Sequence, residues 1–259
     1  MPGFLQVDEL VTAADLEATR FADEADRVLL SDPVPTCPDW TVRQLVEHLG
    51  EVHRWAAAIV ARGLLQDLPE AEQTAFAAPK DRAELLPWFR AGTRELMGAL
   101  EAAPDDLRAF VFLKGAPPAK HFWARRQAHE TAIHRVDILA ARLGRLPTTA
   151  EASITTDFAL DGIDELVTGF VPRRSSRLRT DEPFRMTIAP TDADAAWTVA
   201  VSDQPPVVTR AADPAAHALI TGTAAALYLG LWNRGDDVAE NGTVDALGHW
   251  REQVRVSWS

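Results

Sequence analysis

The chain has 259 residues, 47% of them apolar, and a formal net charge of −12 at pH 7. Such a chain can bury one large core or two small ones, while its acidic balance excludes a broad nucleic-acid footprint, which needs a basic stripe. With Cys37 the single cysteine, an internal disulfide and a thiolate metal cluster are both excluded, so any metal must be held by histidine and carboxylate.

Met1 to Asp8 lacks the basic, then apolar, then small-residue order of a secretory leader. No apolar stretch approaches the roughly 20 residues that span a bilayer. The expectation is a cytoplasmic protein without a membrane partner. A first helix is predicted from about Val7 to Ser31, with Leu10, Ala14, Ala18 and Phe21 near the 3.6-residue period and Pro33 and Pro35 ending it. Cys37 follows in a turn-rich stretch with no flanking charge to lower its pKa and reads as a structural thiol.

A second helix starts at Thr41, with Gln44 in capping-box spacing, and continues to about Arg62 before Gly63. Its apolar stripe is Leu45, Leu49, Val52, Ala56 and Ile59, and His48 lies beside it. A third carries Leu85, Phe89, Leu96 and Leu100 behind Asp81 and Glu84, with Pro87 expected to shift or kink its first turn. A fourth runs from about Ala119 to Leu143 and stops at Gly144, and a fifth from about Thr149 to Phe170 opens on Thr148 and Glu151.

After Pro172 the pattern changes to short β-branched runs at 184–189, 196–201, 207–210 and 217–220, then helices near 223–232 and 244–254. The basic run Arg173, Arg174, Arg177 and Arg179 reads as a solvated linker. The fold class expected is α+β, with a helical bundle over 1–172 and a small α+β domain over 173–259.

The segment His129-Glu130-Thr131-Ala132-Ile133-His134 resembles the H-E-x-x-H motif of zinc proteases with one residue too many. His129 and His134 differ by about 140° around a helix and cannot share an ion. Glu130 and His134 differ by about 40° and project from one face on consecutive turns. His48 on the second helix can supply a third ligand, as facing helices do in bundles. Two histidines and a carboxylate suit zinc with an open fourth position, and also iron or nickel. Taken singly, His48 also reads as a core histidine, and Glu130 with His134 as a solvated pair. Arg126 and Asp137 lie near the same face, as partners of the ligands, as substrate-orienting groups, or as ordinary surface or intrahelical ion pairs. His53 is about 140° from His48 and should miss the site.

The run Cys37-Pro38-Asp39-Trp40-Thr41-Val42-Arg43-Gln44-Leu45-Val46-Glu47-His48-Leu49 resembles the W-T-V-x-x-L-x-x-H-L signature of the mycothiol-dependent maleylpyruvate isomerase family, a branch of the DinB-like superfamily. His129 to Asp137 resembles its H-E-T-x-x-H-R-x-D signature. Gly222 to Arg234 is similar to its G-x-x-x-x-L-x-x-x-L-W-x-R helix, with Asn233 where glycine is often found. The resemblance implies a DinB-like four- or five-helix bundle and a sterol-carrier-like C-terminal domain. It implies His48, Glu130 and His134 as ligands of a divalent metal, zinc by preference, and mycothiol, a low-molecular-weight thiol of actinobacteria, as co-substrate.

A cation that stabilises a thiolate would let it add to a small electrophile, giving cis-trans isomerisation or a thiol conjugate. Arg126 or Arg135 could hold an acidic substrate. A binding or sensory module with a structural metal, and a metal-dependent hydrolase, share the same ligands and stay open.

Overall fold

A computed structural model describes residues 5–113 and 115–254; the first four residues, read above for a leader, lie outside it. The chain forms two compact units. Of the described residues, one comprises Gln6–Phe112 with Ala116–Leu146, the other 147–254 with Leu5, Leu113 and Gly115.

The first unit is a four-helix bundle of α1 (Val7–Ala25), α2 (Val42–Arg62), α4 (Arg82–Ala102) and α5 (Ala119–Leu143), in which α1 packs on α5 and α4, and α2 on α4 and α5. Its core joins Phe21, Ala22, Leu45, Leu49, Phe89 and Ile138. The helix ends follow the expected chemistry. Thr41 and Gln44 cap one another at the start of α2, with Thr41 N–H donating to Gln44 Oε1 at 2.8 Å. Gly63 and Gly144 close α2 and α5 in the left-handed conformation, at φ 58° and 66°.

Two features depart from expectation. Helix α1 ends at Ala25 rather than Ser31, because Asp32 takes the Leu29 N–H at 2.9 Å and folds the chain back. The returning chain forms a hairpin, β1 (Pro33–Val34) against β2 (Cys37–Thr41). Pro87 lies inside α4 without ending it, five residues beyond the first, where one backbone hydrogen bond is lost. A single turn, α3 (Glu70–Gln73), sits in the connection before α4.

Helices α2 and α4 seat into each other reciprocally. The Trp88 ring of α4 lies against Gly50 of α2, and the Arg54 guanidinium of α2 against Gly92 of α4. Arg54 stacks 4.1 Å over Trp88 and donates to the Gly50 and Trp88 carbonyls at 3.0 and 2.6 Å. A methyl group at Gly50 would overlap a rigid indole. Overpacking of about 1–3 kcal/mol therefore exceeds the ~1 kcal/mol that alanine gains in helix propensity. Gly50→Ala should lower the urea midpoint, and an unchanged or raised midpoint would show that Trp88 can swing aside.

The second unit opens with α6 (Thr149–Ala152) and α7 (Thr156–Asp164), which continues as a π-helical stretch, Glu165–Phe170. A five-stranded mixed sheet follows, in the order β5-β4-β3-β6-β7: β3 (Phe184–Pro190), β4 (Trp197–Val201), β5 (Val207–Thr209), β6 (Ala218–Gly222) and β7 (Ala239–Gly242). Strand β3 pairs parallel with β6, from Met186 opposite Ala218 to Pro190 opposite Gly222; the other pairings are antiparallel. Helices α8 (Ala224–Leu231) and α9 (Ala246–Gln253) complete it.

The boundary expected at residue 172 thus falls between Leu146 and Pro147. The predicted fifth bundle helix is broken at Ser153, which takes φ 53°, and α7 packs on α8 rather than in the bundle. Amphipathic periodicity shows that a helix buries a face, not which element covers it. Asn233, unusual for its motif, has φ 60° and donates from Nδ2 to the Val254 carbonyl at 2.9 Å. Asparagine tolerates the left-handed region that glycine otherwise fills.

Candidate metal centre

Helix α5 buries every residue from Phe122 to Ala140, and that stretch includes Arg125, Arg126, His129, Glu130, His134, Arg135 and Asp137. Ionisable groups are this deeply buried only when paired, hydrogen-bonded or metal-binding. The charge pattern of α5 therefore requires polar partners along the buried length of the helix.

Glu130 and His134 project together from α5 as their spacing requires, and α2 brings His48 to the same point. Glu130 Oε1 lies 3.3 Å from His48 Nε2 and 3.1 Å from His134 Nε2. One ligand atom from each residue lies within 4.8 Å of the other two. A tetrahedral ion with bonds of about 2.1 Å sets its ligands roughly 3.4 Å apart, so two edges already have the required length. The donor set, two imidazoles and a carboxylate with a fourth direction open, fits zinc chemistry. His48 is the most accessible of the three, its side chain 16% exposed against 5% for Glu130, so solvent reaches the site from the α2 side.

The second Glu130 oxygen is held by Arg126, itself almost fully buried, at 3.2 Å. His134 Nδ1 meets Asp137 Oδ2 at 2.8 Å. From the hairpin, β2 adds two groups that sequence reasoning did not place here. The Trp40 ring stands edge-on to His48 at 4.9 Å and stacks near His134 at 6.1 Å, while the Cys37 thiol donates to Asp137 Oδ2 at 3.6 Å. The signal available was the adjacency of Cys37 and Trp40 to the α2 cap in one motif.

Other candidates lie elsewhere. Arg135 is paired with Glu17 of α1 at 2.5 Å, a buried tie between two helices. His129 is buried and is not among the converging ligands. His53 also stays out of the cluster, bridging Thr93 Oγ1 at 3.2 Å and Thr131 Oγ1 at 3.0 Å.

Burial opposes the Glu130 charge, but hydrogen bonds from His134 and His48 and the nearby Arg126 charge outweigh it and hold the carboxyl well below its usual range. Burial likewise opposes a charged His134, yet hydrogen bonds to Asp137 and Glu130 prevail and raise it to about 9. With no ion bound, Glu130 is a carboxylate and His134 an imidazolium at neutral pH. Glu130 carries the negative charge a cation would use, and a cation must displace the His134 proton that balances it.

Fold and site together define a two-unit α+β protein with a helical bundle that gathers two histidines and a carboxylate. Residues 11–139 match the description "Mycothiol maleylpyruvate isomerase N-terminal domain", and residues 157–249 match "MDMPI C-terminal domain". The chain belongs to the mycothiol maleylpyruvate isomerase family. Its fold is similar to a crystal structure of the mycothiol-dependent maleylpyruvate isomerase, with a TM-score of 0.64 and 16% identity over 97% of this chain and 98% of that one. A histidine-to-alanine mutant of that enzyme gives the same TM-score, identity and coverage. No curated protein matches the chain by sequence. Among the described residues no helix is long and apolar enough to cross a membrane.

Proposed function

We propose that this chain is a zinc-dependent, thiol-using isomerase or transferase, with His48, Glu130 and His134 as the ligands and mycothiol as co-substrate. The convergence of these three side chains is the observation that carries the reading, and membership of the mycothiol maleylpyruvate isomerase family supplies the thiol and the class of reaction. A divalent ion held there would favour a thiol's anion near neutral pH.

The chain's own groups do the rest. Arg126 holds one Glu130 oxygen and leaves the other facing both imidazoles. Trp40 walls the two imidazoles on the hairpin side. A mycothiol thiolate adds to an electrophilic double bond, forming a C–S bond as the π pair moves to the carbon activated by a carbonyl. Rotation about the former double bond, now single, and loss of the thiolate as the π pair re-forms give the trans isomer. If protonation of that carbon comes first, the product is a conjugate.

The test is elemental analysis of the purified protein, followed by turnover of maleylpyruvate and of a bimane electrophile with and without mycothiol. One zinc per chain and turnover only with the thiol are expected. Turnover by water alone would replace this reading with a hydrolase, and no turnover of either compound would replace it with a binding module.

A further inference from the structure

We propose that Asp137 and Cys37 are positioning residues that fix the tautomer and orientation of His134, so that its Nε2 is the atom presented to a metal. The inference rests on the metal centre of the proposed function and goes beyond its three ligands. Asp137 is fully buried. An ionised carboxylate only accepts hydrogen bonds, so each group that meets Oδ2 must supply a hydrogen. His134 Nδ1 does so at 2.8 Å and the Cys37 thiol at 3.6 Å.

With its hydrogen committed to Nδ1, a neutral His134 has its lone pair on Nε2, the atom 3.1 Å from Glu130 Oε1. The opposite tautomer would aim an N–H at the position of the ion. The ring is also held across its face by Trp40, inclined 22° to it. Both Trp40 and Cys37 come from β2, so one short strand meets the imidazole across its face and, through Asp137, holds the partner of its edge. Cys37 and Asp137 lie 100 residues apart in sequence, and the hairpin fold is what joins them.

The mechanism separates the roles of the two residues. In Asp137→Asn the amide offers a donor as well as an acceptor, so the tautomer is no longer imposed. Cys37→Ala removes one donor and leaves the His134 bond in place. Cys37→Ser keeps a donor.

Zinc affinity is read by competition with a chromophoric chelator, and ligand geometry by the visible absorption of the cobalt(II)-substituted protein. Asp137→Asn should weaken zinc binding by about 10–100-fold, the usual effect of losing the partner of a ligating histidine, and shift the cobalt bands. Cys37→Ala should weaken it by about 2–5-fold, the worth of one modest hydrogen bond, and Cys37→Ser should restore it. Wild-type affinity and spectrum in both Asp137→Asn and Cys37→Ala would overturn the proposal and leave the metal centre intact. Failure of the unaltered protein to bind zinc would overturn the centre and the proposal with it. If Asp137→Asn does not fold, the contrast between Cys37→Ala and Cys37→Ser decides alone.

Discussion

Glu130→Gln is expected to bring the zinc content from about one per chain to background and to abolish thiol-dependent turnover. Glutamine keeps the size of the side chain and can still hydrogen-bond, but it removes the one negative charge among the three ligands. His48 and His134 then face the Arg126 guanidinium, which lies 3.2 Å from the Glu130 carboxylate in the unaltered protein. The loss of affinity should exceed the about 10–100-fold of an outer partner, because a ligand itself is removed. Breaking a buried ion pair costs about 3–5 kcal/mol, so the thermal midpoint of the variant should fall below that of the chelator-treated wild type. The imidazolium pKa of His134 should fall too, since Glu130 contributes both a hydrogen bond and a charge to its elevation; an NMR titration of metal-free protein reads this. A variant that retained one zinc per chain would remove Glu130 from the ligand set.

The second large effect is on acid stability and comes from a residue outside the centre. The Thr93 hydroxyl donates to the Phe89 carbonyl at 3.3 Å, so it accepts from His53 Nδ1–H, and His53 Nε2 receives the Thr131 hydroxyl. This places a neutral imidazole in a fully buried slot. Burial pushes its pKa from 6.5 down to about 3. The unfolded chain takes up a proton that the folded one refuses. The stabilisation is therefore complete above pH 6.5 and is lost as pH falls toward 3, at about 1.4 kcal/mol per unit and about 5 kcal/mol over the window. Urea unfolding of chelator-treated protein at pH 6.5 and 4.5 should show wild type losing about 2 kcal/mol more than His53→Gln, which keeps a donor and an acceptor but does not titrate. Equal losses would mean that His53 does not control acid unfolding.

The parts of this structure legible in the sequence are those set within one helix turn or one cap. The Thr41 and Gln44 box, the glycine stops of α2 and α5, and the shared face of Glu130 and His134 all depend on contacts three or four residues apart. His48 could be paired with them because helices in a bundle face one another. What sequence reasoning missed depends on contacts between distant segments. The hairpin that carries Cys37 and Trp40 to α5 is too short to show an alternating pattern. Strand β7, Ala-Glu-Asn-Gly, has poor β propensity and is held in place by its pairing with β6. Arg135 shares the charge type of Arg126 but sits about 140° from Glu130 around α5, against about 40° for Arg126, and that rotation sends it to Glu17 instead.

Two of the three proposed ligands ride on one helix, so their separation is a matter of pitch and hardly varies. The coordinate that remains is the roll and slide of α2, which decides where His48 arrives. That roll is indexed on the opposite flank, where an indole and a guanidinium each occupy the notch left by a missing side chain. A substitution on α4, a helix that contributes none of the three side chains, should thus be able to detune the proposed coordination sphere from behind, through the azimuth of its neighbour.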